Sequence, residues 1–219
     1  MAAAGDLGNK GLVAAAFEDG NVILLRHQYN TDFSAGVQAR KIIPSLDFPY
    51  GEDSREVLTG GGVTHLALSD SDNELLVAAS GTGGRVGILR STKQENFLSG
   101  EITLDSSLEK LAVDFEITGI AVSFDHRWLY LGDNQGRVYS YTLPALEVRE
   151  VVQVSDASIT AMTMLLGGIS VLAGDSRGTI SQLFPVRDEN NRFRLTLIRQ
   201  FEGSGSPVAR VRRFLRMVA

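Results

Sequence analysis

The sequence predicts an all-β protein assembled from repeated units of four antiparallel strands, and three observations carry that expectation. A glycine-centred turn recurs: "GDNQGRVYSYTL" (132–143) is nearly repeated by "GDSRGTISQLFP" (174–185), with looser copies in "EDGNVILLRH" (18–27) and "GTGGRVGILR" (81–90). A short β-branched run recurs as well, at "VTHLAL" (63–68), "ITGIAV" (117–122), "ITAMTM" (159–164) and, in degenerate form, "VARVRR" (208–213). The aligned glycines Gly20, Gly84, Gly136 and Gly178 are 64, 52 and 42 residues apart, and the runs start 54, 42 and 49 residues apart, so two independent markers share one ragged period. A fixed period of that order marks solenoids and propellers.

The best-preserved unit gives the strand count. In "ITGIAVSFDHRWLYLGDNQGRVYSYTL" a β-branched strand is followed by a turn at Phe124 to Arg127, the strand "WLYLG", a tight turn at Asn134 to Gly136 and the strand "RVYSYTL". "EVREVVQV" (147–154) supplies a fourth, more polar strand. Glycine belongs at the tight turn because the hairpin needs positive φ, which glycine adopts without steric cost. Four antiparallel strands in about 40 to 45 residues are the WD40-type blade, so the expected fold is a WD40-like β-propeller spanning 1–219 as one domain of about four blades. The Trp-Asp and Gly-His dipeptides of strict WD40 repeats are absent, and the expectation rests on period and strand pattern.

The ends predict an incomplete ring. "GLVAAAFEDGNVILLRH" (11–27) reads as second and third strands with no first strand ahead of them, and "SPVARVRRFLRMVA" (206–219) as a first strand with nothing after it. A closed ring of four blades satisfies this, and so does part of a larger ring; the larger ring is favoured within the usual range of four to eight blades. Two segments break the period. A long insertion at 27–62 holds Tyr29, Phe33, Phe48 and Tyr50 beside Asp47, Glu52 and Asp53, and 91–116 reads as an outer strand plus a linker.

Composition excludes several classes. A net charge of −5 gives no basic field to draw nucleic acid or an anionic membrane surface. Apolar runs such as "LVAAAF" (12–17) and "LLVAA" (75–79) are far shorter than the roughly 20 residues of a membrane span, and "MAAAGDLGNK" lacks the apolar core of a signal peptide. Without cysteine there are no disulfides, thiolate metal sites or thiol nucleophiles.

Little in the sequence points to catalysis or to a cofactor. His27, His65 and His126 lie apart from one another and read as capped or surface imidazoles, with no metal-ligand spacing. "TGGGVT" (59–64) and "SGTGGRVG" (80–87) lack the Lys of a phosphate-binding loop and lead into strands, so they read as turns. "GSGSP" (203–207) reads as a linker without the strand-to-helix context of a nucleophile elbow. Arg85, Arg137 and Arg177 occupy or adjoin the same hairpin turn in three successive units. They are the candidates for an oxyanion or partner contact, against the plainer reading of soluble turn residues. The basic cluster Arg210, Arg212, Arg213 and Arg216 reads as strand edge and linker.

Six segments carry a resemblance to a known family: "LLRHQY" (24–29), "LDFPYGE" (46–52), "QENFLSGE" (94–101), "WLYL" (128–131), "LLGGISVLAGDSRGTISQLFPVRDENN" (165–191) and "FRLTLIRQF" (193–201). Between about Gly11 and Pro207 the chain resembles the large soluble domain of the extended, PstC-type permease of proteobacterial phosphate ABC transporters. The resemblance implies a non-enzymatic periplasmic module of an inner-membrane protein, working with a phosphate-binding protein and the other transporter subunits. "RVRRFLRMVA" departs from the continuation expected in that family. An intracellular propeller scaffold, and a ligand-binding or enzymatic propeller, are the alternatives.

Overall fold

The computed structural model describes residues 2–6, 10–32, 41–100, 102–165, 167–203 and 205–209. It is all-β among these residues, and its strands fall into four antiparallel sheets. The first comprises β1 (Ala2–Asp6), β2 (Lys10–Ala16), β3 (Asn21–Asp32) and β4 (Lys41–Asp47), with β5 (Arg55–Glu56) pairing to the start of β3. The second holds β6 (Val63–Asp70), β7 (Glu74–Gly81), β8 (Arg85–Glu95) and β9 (Ile102–Ala112). The third holds β10 (Ile117–Val122), β11 (Trp128–Asp133), β12 (Arg137–Thr142) and β13 (Val148–Gln153). The fourth holds β14 (Ile159–Met164), β15 (Val171–Asp175), β16 (Ile180–Arg187) and β17 (Phe193–Phe201). Each is a meander in chain order, the form of a propeller blade.

Two expectations about the first sheet are corrected. β1 precedes β2 and pairs with it from Ala2↔Ala14 to Asp6↔Lys10, so a first strand is present; "AAAGD" carries too little hydrophobic signal to mark it. The segment 27–62 is sheet for much of its length, because β3 runs on to Asp32 and β4 pairs with it from Arg26↔Asp47 to Asp32↔Lys41. Phe33 and the C-terminal arginines from Arg210 onward lie outside the described residues. The turns expected at Phe124 to Arg127 and at Asn134 to Gly136 are in place between β10, β11 and β12.

Successive first strands are neighbours: β1 packs beside β6, β6 beside β10 and β10 beside β14. No comparable packing of β14 on β1 occurs among the described residues. Strand alternation explains why the middle strands of the two interior sheets read as unbroken apolar runs. Leu75, Val77 and Ala79 of β7 face the first sheet, while Leu76 and Ala78 face the third. Leu129 and Leu131 of β11 face the second sheet and Tyr130 the fourth. Neighbouring residues of a strand point to opposite faces, and here both faces are covered. The fourth strands β9, β13 and β17 are largely exposed, as their polar sequences predict.

The sheets pack closely enough that single methyl groups matter. Ile159 is fully buried, and a Cβ on Gly132 would lie 2.7 Å from its Cγ2. Ile159→Ala is expected to destabilise the protein by about 2–4 kcal/mol, read by urea unfolding, through lost burial plus a cavity between the third and fourth sheets.

Candidate functional site

The turn between second and third strands is the feature the sequence repeats most faithfully, and it holds the successive sheets together. Gly20, Gly84, Gly136 and Gly178 all have positive φ, between +69° and +90°. Their carbonyls and faces meet the segment that leads to the next sheet. Gly20 O accepts from Val57 N and Leu58 N, each at 3.1 Å; Gly84 O accepts from Val113 N at 2.9 Å; Gly136 O accepts from Val154 N at 3.0 Å and Ser155 N at 3.2 Å. Positive φ lets the turn close, and the missing side chain lets the linker lie against it.

An aspartate completes the two best-preserved turns. Asp133 Oδ1 accepts from Gln135 N at 2.9 Å and Arg137 N at 2.8 Å, and its other oxygen accepts from Tyr139 Oη at 3.1 Å. Asp175 Oδ1 accepts from Arg177 N at 2.9 Å and Thr179 N at 2.8 Å, while Ser155 Oγ donates to Oδ2 at 2.5 Å. Burial alone would raise the Asp175 carboxyl, but the hydrogen bonds from Ser155, Thr179 and Arg177 outweigh it and hold the pKa below its ordinary 3.8. A carboxylate with a lowered folded pKa contributes stability that is complete above its unfolded value and lost as pH falls through the folded one. Asp175→Asn keeps a turn acceptor without the titration. Its melting temperature is therefore expected to fall less steeply than the wild type's as pH drops below about 4.

The three arginines take different places on this rim. Arg85 Nη1 donates to the carbonyls of Thr59 at 2.7 Å and Gly60 at 2.6 Å, and Nε to Thr82 O at 3.0 Å, so it clasps the linker between the first and second sheets. Arg137 Nε donates to Asp133 Oδ2 at 2.6 Å with its guanidinium carbon 5.5 Å from the Tyr139 ring centroid. Arg177 presents an exposed side chain at the corresponding turn. Two of the three thus have donors engaged by neighbouring residues, whereas Arg177 is exposed.

A polar cluster of buried Ser69 and His126 with half-buried Glu74 and Arg90 joins the second and third sheets. His126, in the β10–β11 turn, has φ of +56° and is 5% exposed. Its Nδ1 donates to Glu74 Oε2 at 2.8 Å, and Ser69 Oγ lies 2.9 Å from Nε2. Arg90 Nη1 donates to Glu74 Oε1 at 2.6 Å and Nη2 to His126 O at 3.4 Å. Burial would raise the Glu74 carboxyl, yet the hydrogen bonds from Arg90 and His126 hold it below its ordinary value. Of the two expectations for His126, a capped or a surface imidazole, the ring is capped, by Glu74 and Ser69, and it is buried between sheets rather than on the surface.

The inner strands frame a shallow depression of about 340 Å³, lined among others by Thr64, His65, Thr82, Glu116, Thr118 and Thr160. It offers hydroxyls and one carboxylate, and Glu116 already accepts from Asn134 Nδ2 at 2.8 Å. Burial pushes the His65 imidazole below its ordinary 6.5, favouring the neutral ring. His27, on β3, stands edge-on to Tyr29 with ring centroids 4.5 Å apart. Among the described residues no three His, Asp or Glu side chains gather as a metal cage. No helix among them is long and apolar enough to cross a membrane.

No family model matches the chain, and no curated protein matches it.

Proposed function

We propose that this chain is a WD40-like propeller module, part of an open ring, that serves as a non-enzymatic periplasmic accessory domain of a phosphate import ABC transporter permease in the inner membrane. Its work is docking: a rigid arc of sheets presents loops to the soluble phosphate-binding protein or to neighbouring transporter subunits, with a regulatory effect on transport. It needs no cofactor.

The observation that supports this reading is where the resembling segments lie. Several of them are strands, in β3, β11, β15, β16 and β17, but "LDFPYGE" leaves the end of β4, 94–100 runs from the end of β8 into the β8–β9 turn, and "VRDENN" runs from the end of β16 into the β16–β17 turn. All three are connections at outer strands, which blade geometry does not dictate. Irregular segments carried on a rigid scaffold are where binding usually resides. The interior side chains, by contrast, are accounted for by sheet packing and turn anchoring.

Calorimetric titration of the purified domain with the cognate phosphate-binding protein, with and without phosphate, tests the proposal. Binding with a micromolar or tighter Kd, altered by phosphate, is the expected result. Absence of heat from folded protein sinks the carrier-docking reading.

A further inference from the structure

The β8–β9 hairpin outruns its own sheet. β7 pairs with β8 only as far as Glu74↔Thr92, and Lys93 N still reaches Asn73 O at 2.9 Å. Beyond that, Gln94 and Glu95 pair only with Thr103 and Ile102 across the hairpin. Two residue pairs and a turn therefore stand on the order of 10 Å clear of the sheet, at 3.4 Å per residue. The base is pinned, because Lys93 Nζ donates to Asp70 Oδ1 at 2.6 Å and Ser71 O at 2.5 Å.

The tip is ordered by hydrogen bonds within the turn, two of them to the Asn96 side chain. Asn96 Oδ1 accepts from Leu98 N at 2.9 Å and Ser99 N at 3.3 Å, and Gly100 N donates to Asn96 O at 2.7 Å with Gly100 at φ +69°. This turn holds out Phe97 and Leu98, which are 97% and 99% exposed; the next most exposed large apolar residue described is Leu46, at 61%. Single exposed apolar residues are ordinary, but two adjacent ones fully displayed on a braced turn form a ready-made anchor for a partner.

The charge around the tip selects the occupant. Glu95 is exposed beside the tip and Asp105 further down the facing arm, opposite Thr92, and among the described residues neither has an ion pair. The nearby cation, Lys93, is already held by Asp70. Acidic arms on a chain of net charge −5 are repelled by anionic headgroups and attracted by a basic protein rim.

We infer that Phe97 and Leu98 insert into an apolar socket rimmed by Lys or Arg on a protein partner. Resting on the function proposed above, that partner is the soluble phosphate-binding protein.

The test compares the wild type with Phe97→Ser/Leu98→Ser and with Glu95→Lys/Asp105→Lys. All four positions are exposed, so circular dichroism and thermal melts are expected to match the wild type. Calorimetry against the phosphate-binding protein is expected to show at least a tenfold loss of affinity for the first variant, since buried apolar anchors dominate binding. The second variant is expected to bind more weakly and to lose the salt dependence of the wild type. Equal affinity for wild type and Phe97→Ser/Leu98→Ser overturns the tip while leaving carrier docking intact. No binding by the wild type overturns both. Sedimentation with 3:1 phosphatidylcholine/phosphatidylglycerol vesicles, or self-association in ultracentrifugation, overturns the protein-socket assignment if Phe97→Ser/Leu98→Ser abolishes it.

Discussion

Gly84→Ala is expected to cost the protein about 3 kcal/mol or more, whereas Gly83→Ala, one residue away, costs about 1 kcal/mol. Both residues have positive φ, +69° and +74°, so both substitutions force an L-residue into the left-handed region. The difference is what the new methyl meets. At Gly83 nothing lies within 4 Å, while at Gly84 the Cβ would fall 2.0 Å from Val113 O. That carbonyl is backbone of the linker, so relief requires the linker to move and Val113 N to give up its bond to Gly84 O. Urea unfolding of the two variants separates conformational strain from loss of the clasp. Equal costs would show that the glycine serves the turn alone.

Glu74→Ala is the second change with a large expected effect, about 2–3 kcal/mol, because it strips Arg90 and the buried His126 of their shared carboxylate. Exposed Glu52, by comparison, is expected to tolerate alanine within about 0.5 kcal/mol. His126→Asn retains a residue tolerant of φ +56° while removing the imidazole. A double-mutant cycle between Glu74→Ala and His126→Asn is expected to show coupling of about 1–2 kcal/mol by chemical denaturation. Additive effects would mean that the two side chains merely adjoin.

Much of the fold was legible because it repeats. The Gly136 and Gly178 turns are local and nearly identical, and the runs "LLVAA" and "WLYL" follow from strands buried on both faces. β1 and β4 escaped notice for opposite reasons. "AAAGD" is too short in side chains to show a pattern, and β4 lies beyond a segment whose aromatic residues suggested an irregular loop.

The candidate site was less legible. Arg85, Arg137 and Arg177 stood out through their shared position, but what each guanidinium touches depends on Thr59, Gly60 and Asp133. Asp133 and Asp175 were visible in "GDNQG" and "GDSRG", a signal the glycine overshadowed. The cluster of Ser69, Glu74, Arg90 and His126 had no local signature: His126 meets Glu74 from 52 residues away and Ser69 from 57.

The succession of the sheets has a thermodynamic consequence. With β1, β6, β10 and β14 touching only in succession, each sheet is coupled to its immediate neighbours, as in a one-dimensional chain of units. Among the described residues the second and third sheets each lie between two others, the first borders the second, and the fourth borders the third and the segment around Val208, whose N donates to Asp175 O at 3.0 Å. Amide hydrogens of β7 and β11 should therefore outlast those of β2 and β16 in exchange experiments. Local opening in the native state should begin in the first and fourth sheets and reach the second and third only in global unfolding.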